Sequence, residues 1–136
     1  SSDLLRLDSK SDLLINNLSM LLALHRPADA DEAKRMIDQL IGIRGPAPTF
    51  LDTRAVTSLV QGENQPAEAV KDLKLALAQQ QRGVYYFHLA WAYDLLRRDL
   101  DKQVALQKAL QLGLTKDDLH PKELPKYAEL YKRAPE

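Results

Sequence analysis

The chain has 136 residues, enough for one compact domain and too few for two of ordinary size; 45% are hydrophobic and 28% charged, a balance that excludes wholesale disorder. Nineteen basic residues offset nineteen acidic ones, so no net field draws the chain to nucleic acid or an anionic membrane, and the lack of cysteine excludes disulfides and thiolate metal sites while leaving the compartment unknown. The longest apolar run, Met20 to Leu24, is far short of the roughly 20 residues that span a bilayer, and no charged start leads into a signal-peptide core, so no membrane insertion is expected.

In chain order, LLRLDSKSD (4–12) reads as the last turn of a helix followed by a linker. Leu4, Leu5 and Leu7 form an apolar helix end with no partner helix before it, and the chain opens on Ser1, so we expect a fragment of a longer protein. LINNLSMLLAL (14–24) and DEAKRMIDQLI (31–41) then carry helical periodicity on either side of the breaker HRPADA. After the linker GIRGPAP (42–48), the pattern recurs as FLDTRAVTSLV (50–60), the turn QGENQ, and PAEAVKDLKLAL (66–77), which opens with proline at the permitted first helical position. It recurs again as VYYFHLAWAYDLL (84–96), the charged turn RRD, and LDKQVALQKAL (100–110), closed by Gly113. The small residues Ser19, Ala55 and Ala90 of the three first helices align at spacings of about 36 and 35 residues, close to known helix-pair repeat lengths. In the second helices Ala33 aligns with Ala69, Ile37 with Leu73 and Leu106, and Leu40 with Ala76 and Ala109.

On these motifs the chain resembles the tetratricopeptide repeat (TPR) family, specifically the C-terminal end of a longer bacterial-type array, over roughly Leu13 to Leu114. QGENQPAEAVKDLKLAL is similar to the family's turn, small residue and alanine-leucine close, and FHLAWAY to its leucine, small residue, tyrosine first helix. The resemblance implies an all-α fold, an α-solenoid of about three antiparallel helix pairs over residues 13–45, 46–81 and 82–114. Two departures stand out. The first two turns are about two or more residues longer than usual, and Lys102 stands where a small residue belongs, implying loose packing or an outward-snorkelling stem. Beyond Gly113, Thr115 with Asp118 reads as a helix-start pair, and Leu124, Tyr127, Ala128 and Tyr131 fall at helical spacing. Residues 115–136 are therefore read as a capping helix and tail, with Lys126, Glu129, Lys132 and Arg133 as the polar outer face that the end of a repeat stack requires.

FHLAWAY crowds three aromatics and a histidine into seven residues. Tyr86, Leu89, Ala90 and Tyr93 share one helix face and are read as core, whereas Phe87, Trp91 and Leu95 form a second face, more apolar surface than one partner helix covers. In the resembling family the first helices line the concave inner surface. The matching positions here are Asn16, Met20, Asp52, Val56, Phe87 and Trp91, with His88 beside them, and these seven are the candidate peptide-binding residues. Three covers for Phe87 and Trp91 stay open: a ligand, the following segment or capping helix, or a second copy of the chain. Asn16, Asn17, Asp52 and Thr53 either fix the main chain of an extended peptide or hold neighbouring helices together. The inner-face candidates Asn16, Met20, Thr53, Val84 and His88 include no Lys or Arg, so capture of a carboxylate, known in some TPR domains, is not expected.

His25, His88 and His120 lie on three separate segments without metal-ligand spacing, the five glycines are scattered singly, and no serine sits in a GxSxG motif. Paired charges such as Asp31-Glu32, Arg97-Arg98 and Asp117-Asp118 read as solvated turns. No cofactor, metal or catalytic residue is therefore expected. The expected function is non-enzymatic binding of a peptide or protein segment on the concave face; the alternative is a structural spacer or self-associating end of a larger multi-repeat protein.

Overall fold

The computed structural model describes residues 9–132, whose regular structure is all helical, with no strand among them. The α-helices are α1 (Ser9–His25), α2 (Ala30–Arg44), α3 (Pro48–Leu59), α4 (Pro66–Gln79), α5 (Gly83–Leu95), α6 (Asp99–Gln111) and α7 (Leu124–Tyr131). Local chemistry sets several ends. Pro48 and Pro66 open α3 and α4, where a missing N–H costs nothing, and acidic residues occupy the first turns of α2 and α6, facing the positive end of the helix dipole. At the end of α6, Gly113 takes φ of 88°, and the Leu114 N–H returns to the Ala109 carbonyl at 3.0 Å. A side chain at Gly113 would strain this left-handed closure.

The chain is an all-α repeat-like stack in which each helix packs on its neighbours: α1 on α2, α3 on α4, α5 on α6, with α2 on α3 and α4 on α5 joining the pairs. The aligned positions Ser19, Ala55 and Ala90, and Ala33, Ala69, Ile37, Leu73, Leu106, Leu40, Ala76 and Ala109, are all buried. Small residues at those points let the helices approach, and Leu51, Leu59, Leu73, Tyr85 and Leu106 fill the space between. Polar ties reinforce the stack. Arg54 on α3 grips Asp72 on α4 with two hydrogen bonds of 3.0 and 2.9 Å and reaches Asp38 on α2 at 3.0 Å.

Three expectations are corrected. The linker expected up to Asp12 is helical from Ser9, and Asp12 is tied to Arg44 at the far end of α2 at 3.0 Å; Leu4, Leu5 and Leu7 lie outside the described residues. Tyr86 is only half-buried, its hydroxyl donating to Gln81 at 2.8 Å, and Tyr85 takes the core place instead. Lys102 does not turn outward: its ammonium sits 3.2 Å from Asp94 on α5, so the odd residue of the third pair becomes an inter-helix tie.

The first helices form a row of their own, α1 against α3 and α3 against α5, while α2, α4 and α6 make at most glancing contacts with one another. This closer-packed row of first helices is termed the inner row. No helix among the described residues is long and apolar enough to cross a membrane.

Candidate functional site

The inner row carries the seven candidate residues, and the structure gathers four of them, Asp52, Phe87, His88 and Trp91, at one place on α3 and α5. Val56 is fully buried with Ala23, Leu24 and Ala33, and half-buried Met20 packs against that cluster, so these two hold the first pair to α3. Asn16 is half-buried, and its Oδ1 is enclosed without a hydrogen-bond partner among the described residues. Thr53 is fully buried, its hydroxyl likewise without a partner among the described residues, while Asn17 is exposed.

The inner face is not open. Phe87 has 0% of its surface exposed and Trp91 only 8%. Their cover is the C-terminal segment, which runs across the inner row rather than simply shielding the last pair. It leaves α6 through a capping box in which the Thr115 N–H donates to Asp118 at 2.8 Å, the helix-start pair read from the sequence, although it opens a single 3-10 turn. A second box follows at His120–Glu123: the His120 N–H donates to Glu123 at 3.1 Å and the Lys122 N–H to His120 Nδ1 at 3.0 Å. Pro121 then opens a 3-10 turn that leads directly into α7.

Contacts from this segment reach α1, α5 and α6. The ring of His120 stands edge-on to His25 at the end of α1, with centroids 5.0 Å apart. His120 Nδ1 accepts from the Lys122 N–H, and its Nε2 lies 3.4 Å from His25 Nε2. Tyr127 and Tyr131 lie 6.0 and 6.5 Å from the Phe87 ring, the latter stacked, and the Lys126 ammonium is 5.6 Å from the Trp91 ring centre. The Tyr131 hydroxyl donates to the Leu106 carbonyl of α6 at 2.9 Å.

At the centre lies a buried ionic triad. His88 Nδ1–H donates to Asp52 on α3 at 2.6 Å, and Nε2–H donates to Glu123 of the C-terminal segment. Burial works against charge on His88, but Asp52 and Glu123 together outweigh it and hold the imidazolium to a pKa of about 10. Burial likewise opposes the charged form of Glu123, yet the histidinium and the His120 N–H keep its pKa below the ordinary 4.5. His88 is thus the cation that the sequence lacked: no Lys or Arg is needed, because two carboxylates keep a histidine charged. The carboxylate held there is the chain's own Glu123 side chain, not the terminus of a partner.

The sequence reading did not find Glu123, His120 or His25 as partners. One signal was available, since His120-x-x-Glu123 repeats the spacing of the Thr115-x-x-Asp118 box. Among the described residues no group of three or more acidic or histidine side chains is arranged to hold a metal ion. Both imidazole N–H groups of His88 are thus committed to carboxylates, one from the stack and one from the C-terminal segment.

The triad makes stability depend on pH. Below about 6.5 histidine is protonated in both folded and unfolded chains; above it the unfolded chain releases the proton while His88 keeps it, until about 10. Each pH unit in that window removes up to about 1.4 kcal/mol. Glu123 acts oppositely, adding stability above pH 4.5 that is lost as acid protonates it. Urea midpoints should therefore peak between pH 4.5 and 6.5 and fall toward pH 9; a profile flat from pH 6 to 9 would contradict a charged His88.

No protein-family model, curated protein or solved structure was found to match this chain.

Proposed function

We propose that this chain is a non-enzymatic protein-protein interaction module of the TPR kind, whose inner face binds a protein segment. The reading is carried by one observation: that face already accommodates a stretch of polypeptide, its own C-terminal segment, through a buried carboxylate, two aromatic rings and a cation over Trp91. Buried aromatics and charge-assisted hydrogen bonds supply most of the affinity in such contacts. The repeat-like stacking and the buried small-residue register agree with it.

The test is selection of peptides from a random display library against the full chain. Bound peptides are expected to lose about 2 kcal/mol or more against Trp91→Ala at unchanged helicity. Peptides that bind both chains equally place recognition elsewhere, and failure to select any peptide contradicts the module reading.

A second reading, a spacer or self-associating end of a larger protein, is favoured by a separate feature. Leu14, Leu18 and Leu21 of α1 are 58%, 45% and 39% exposed at steps of four and three residues, an apolar stripe of the kind another helix covers.

A further inference from the structure

Resting on the interaction-module reading, we propose that the inner face is selective for a helical segment bearing a carboxylate followed four and eight residues later by aromatic rings, and that the chain's own segment, through Glu123, Tyr127 and Tyr131, is a built-in competitor for that ligand. Residues four apart lie on one helix face, so a single helix delivers all three groups to the same side. α7 does this here, with Glu123 at the position just before its start and both tyrosines against Phe87.

The carboxylate requirement is set by the body of the stack. Asp52 and His88 sit on adjacent first helices, and their 2.6 Å contact involves no residue of the segment. Asp52 fixes the imidazole through Nδ1–H, which leaves Nε2–H aimed at the position of Glu123. An occupant without an acceptor there would leave a buried, charged donor unpaired, which is strongly disfavoured. The aromatic requirement follows from Phe87, which has no exposed surface when the two tyrosine rings lie over it.

The charge count opposes permanent closure. Two carboxylates flank one imidazolium, so the closed site holds an excess buried negative charge that the Asp52–His88 pair alone does not have. The segment is joined to α6 through the left-handed turn at Gly113, and its attachment gives it an effective concentration on the order of millimolar. An incoming ligand of the same chemistry must displace it, so weakening the resident segment should strengthen binding in trans.

The experiment uses the full chain, as wild type and as Glu123→Ala, with a fluorescein-labelled peptide of sequence LHPKELPKYAELYK, copying residues 119–132. Anisotropy titrations are expected to show at least about ten-fold tighter binding to Glu123→Ala than to wild type. Peptides with alanine in place of the first glutamate or of the first tyrosine should bind the variant at least about ten-fold more weakly. Equal binding of all three peptides would overturn the selectivity while leaving the module reading intact. Equal binding of the parent peptide to wild type and variant would overturn the competitor role. No binding of any peptide to a helical variant would overturn this inference and weigh against the module itself. If Glu123→Ala loses its helical circular dichroism, Tyr127→Ala, which leaves the triad in place, serves as the weakened chain with the same expected outcomes.

Discussion

Replacing His88 with alanine should lower the free energy of unfolding by about 3–5 kcal/mol, the loss expected when one member of a buried ion group is deleted and the rest are left uncompensated. The geometry makes this case severe. His88 is 1% exposed and lies between Asp52 and Glu123, themselves 6% and 4% exposed, so its removal leaves two enclosed carboxylates with neither a cation nor a donor between them. The chain must then hydrate the site, protonate a carboxylate or release the C-terminal segment. Urea unfolding followed by circular dichroism measures the loss, and combining His88→Ala with Asp52→Asn and Glu123→Gln should recover part of it, because no buried charge then lacks a partner. A loss below about 1 kcal/mol would show that the triad is not assembled as described.

The second large effect is expected at Phe87. Phe87→Ala removes a fully buried ring in contact with both tyrosines of the C-terminal segment and should cost about 3–5 kcal/mol, from lost burial and the cavity left behind. The same change at Leu100, which is 86% exposed, should move stability by less than about 0.5 kcal/mol. Comparable effects at the two positions would place Phe87 outside the core.

Much of this fold was legible in the sequence because helix pairs write themselves as period, punctuation and small residues. Ser19, Ala55 and Ala90 stand where three helices must approach closely, and all three are buried. What escaped depends on partners distant in sequence. The first turn of α1 has no apolar residue to mark it between Ser9 and Asp12, and its tie to Arg44 spans 32 residues. Periodicity placed Tyr86 on the face of Leu89, Ala90 and Tyr93, yet the adjacent Tyr85 is the buried one, because α5 is enclosed on nearly every side and its pattern no longer marks a single core face.

The inner face shows the same division. Phe87 and Trp91 announced that something had to cover them, and the capping segment was one of three covers left open. The charge of His88 was not readable from its own neighbourhood. It comes from Asp52, 36 residues earlier and about one repeat away, and from Glu123, 35 residues later on a segment whose path across the stack no local pattern dictated. A histidine that looked like a neutral flank of an aromatic cluster is therefore the charged centre of the site.

The central claim is that the C-terminal segment lies in the inner face, and a two-dimensional nuclear Overhauser spectrum of the full chain tests it most directly. Ring protons of Phe87 should show cross-peaks to those of Tyr127 and Tyr131, and His25 to His120, whose ring centres are 5.0 Å apart. Absence of all these cross-peaks, with those between the α5 and α6 cores present, would mean that the segment is not seated there and that the inner face is covered in some other way.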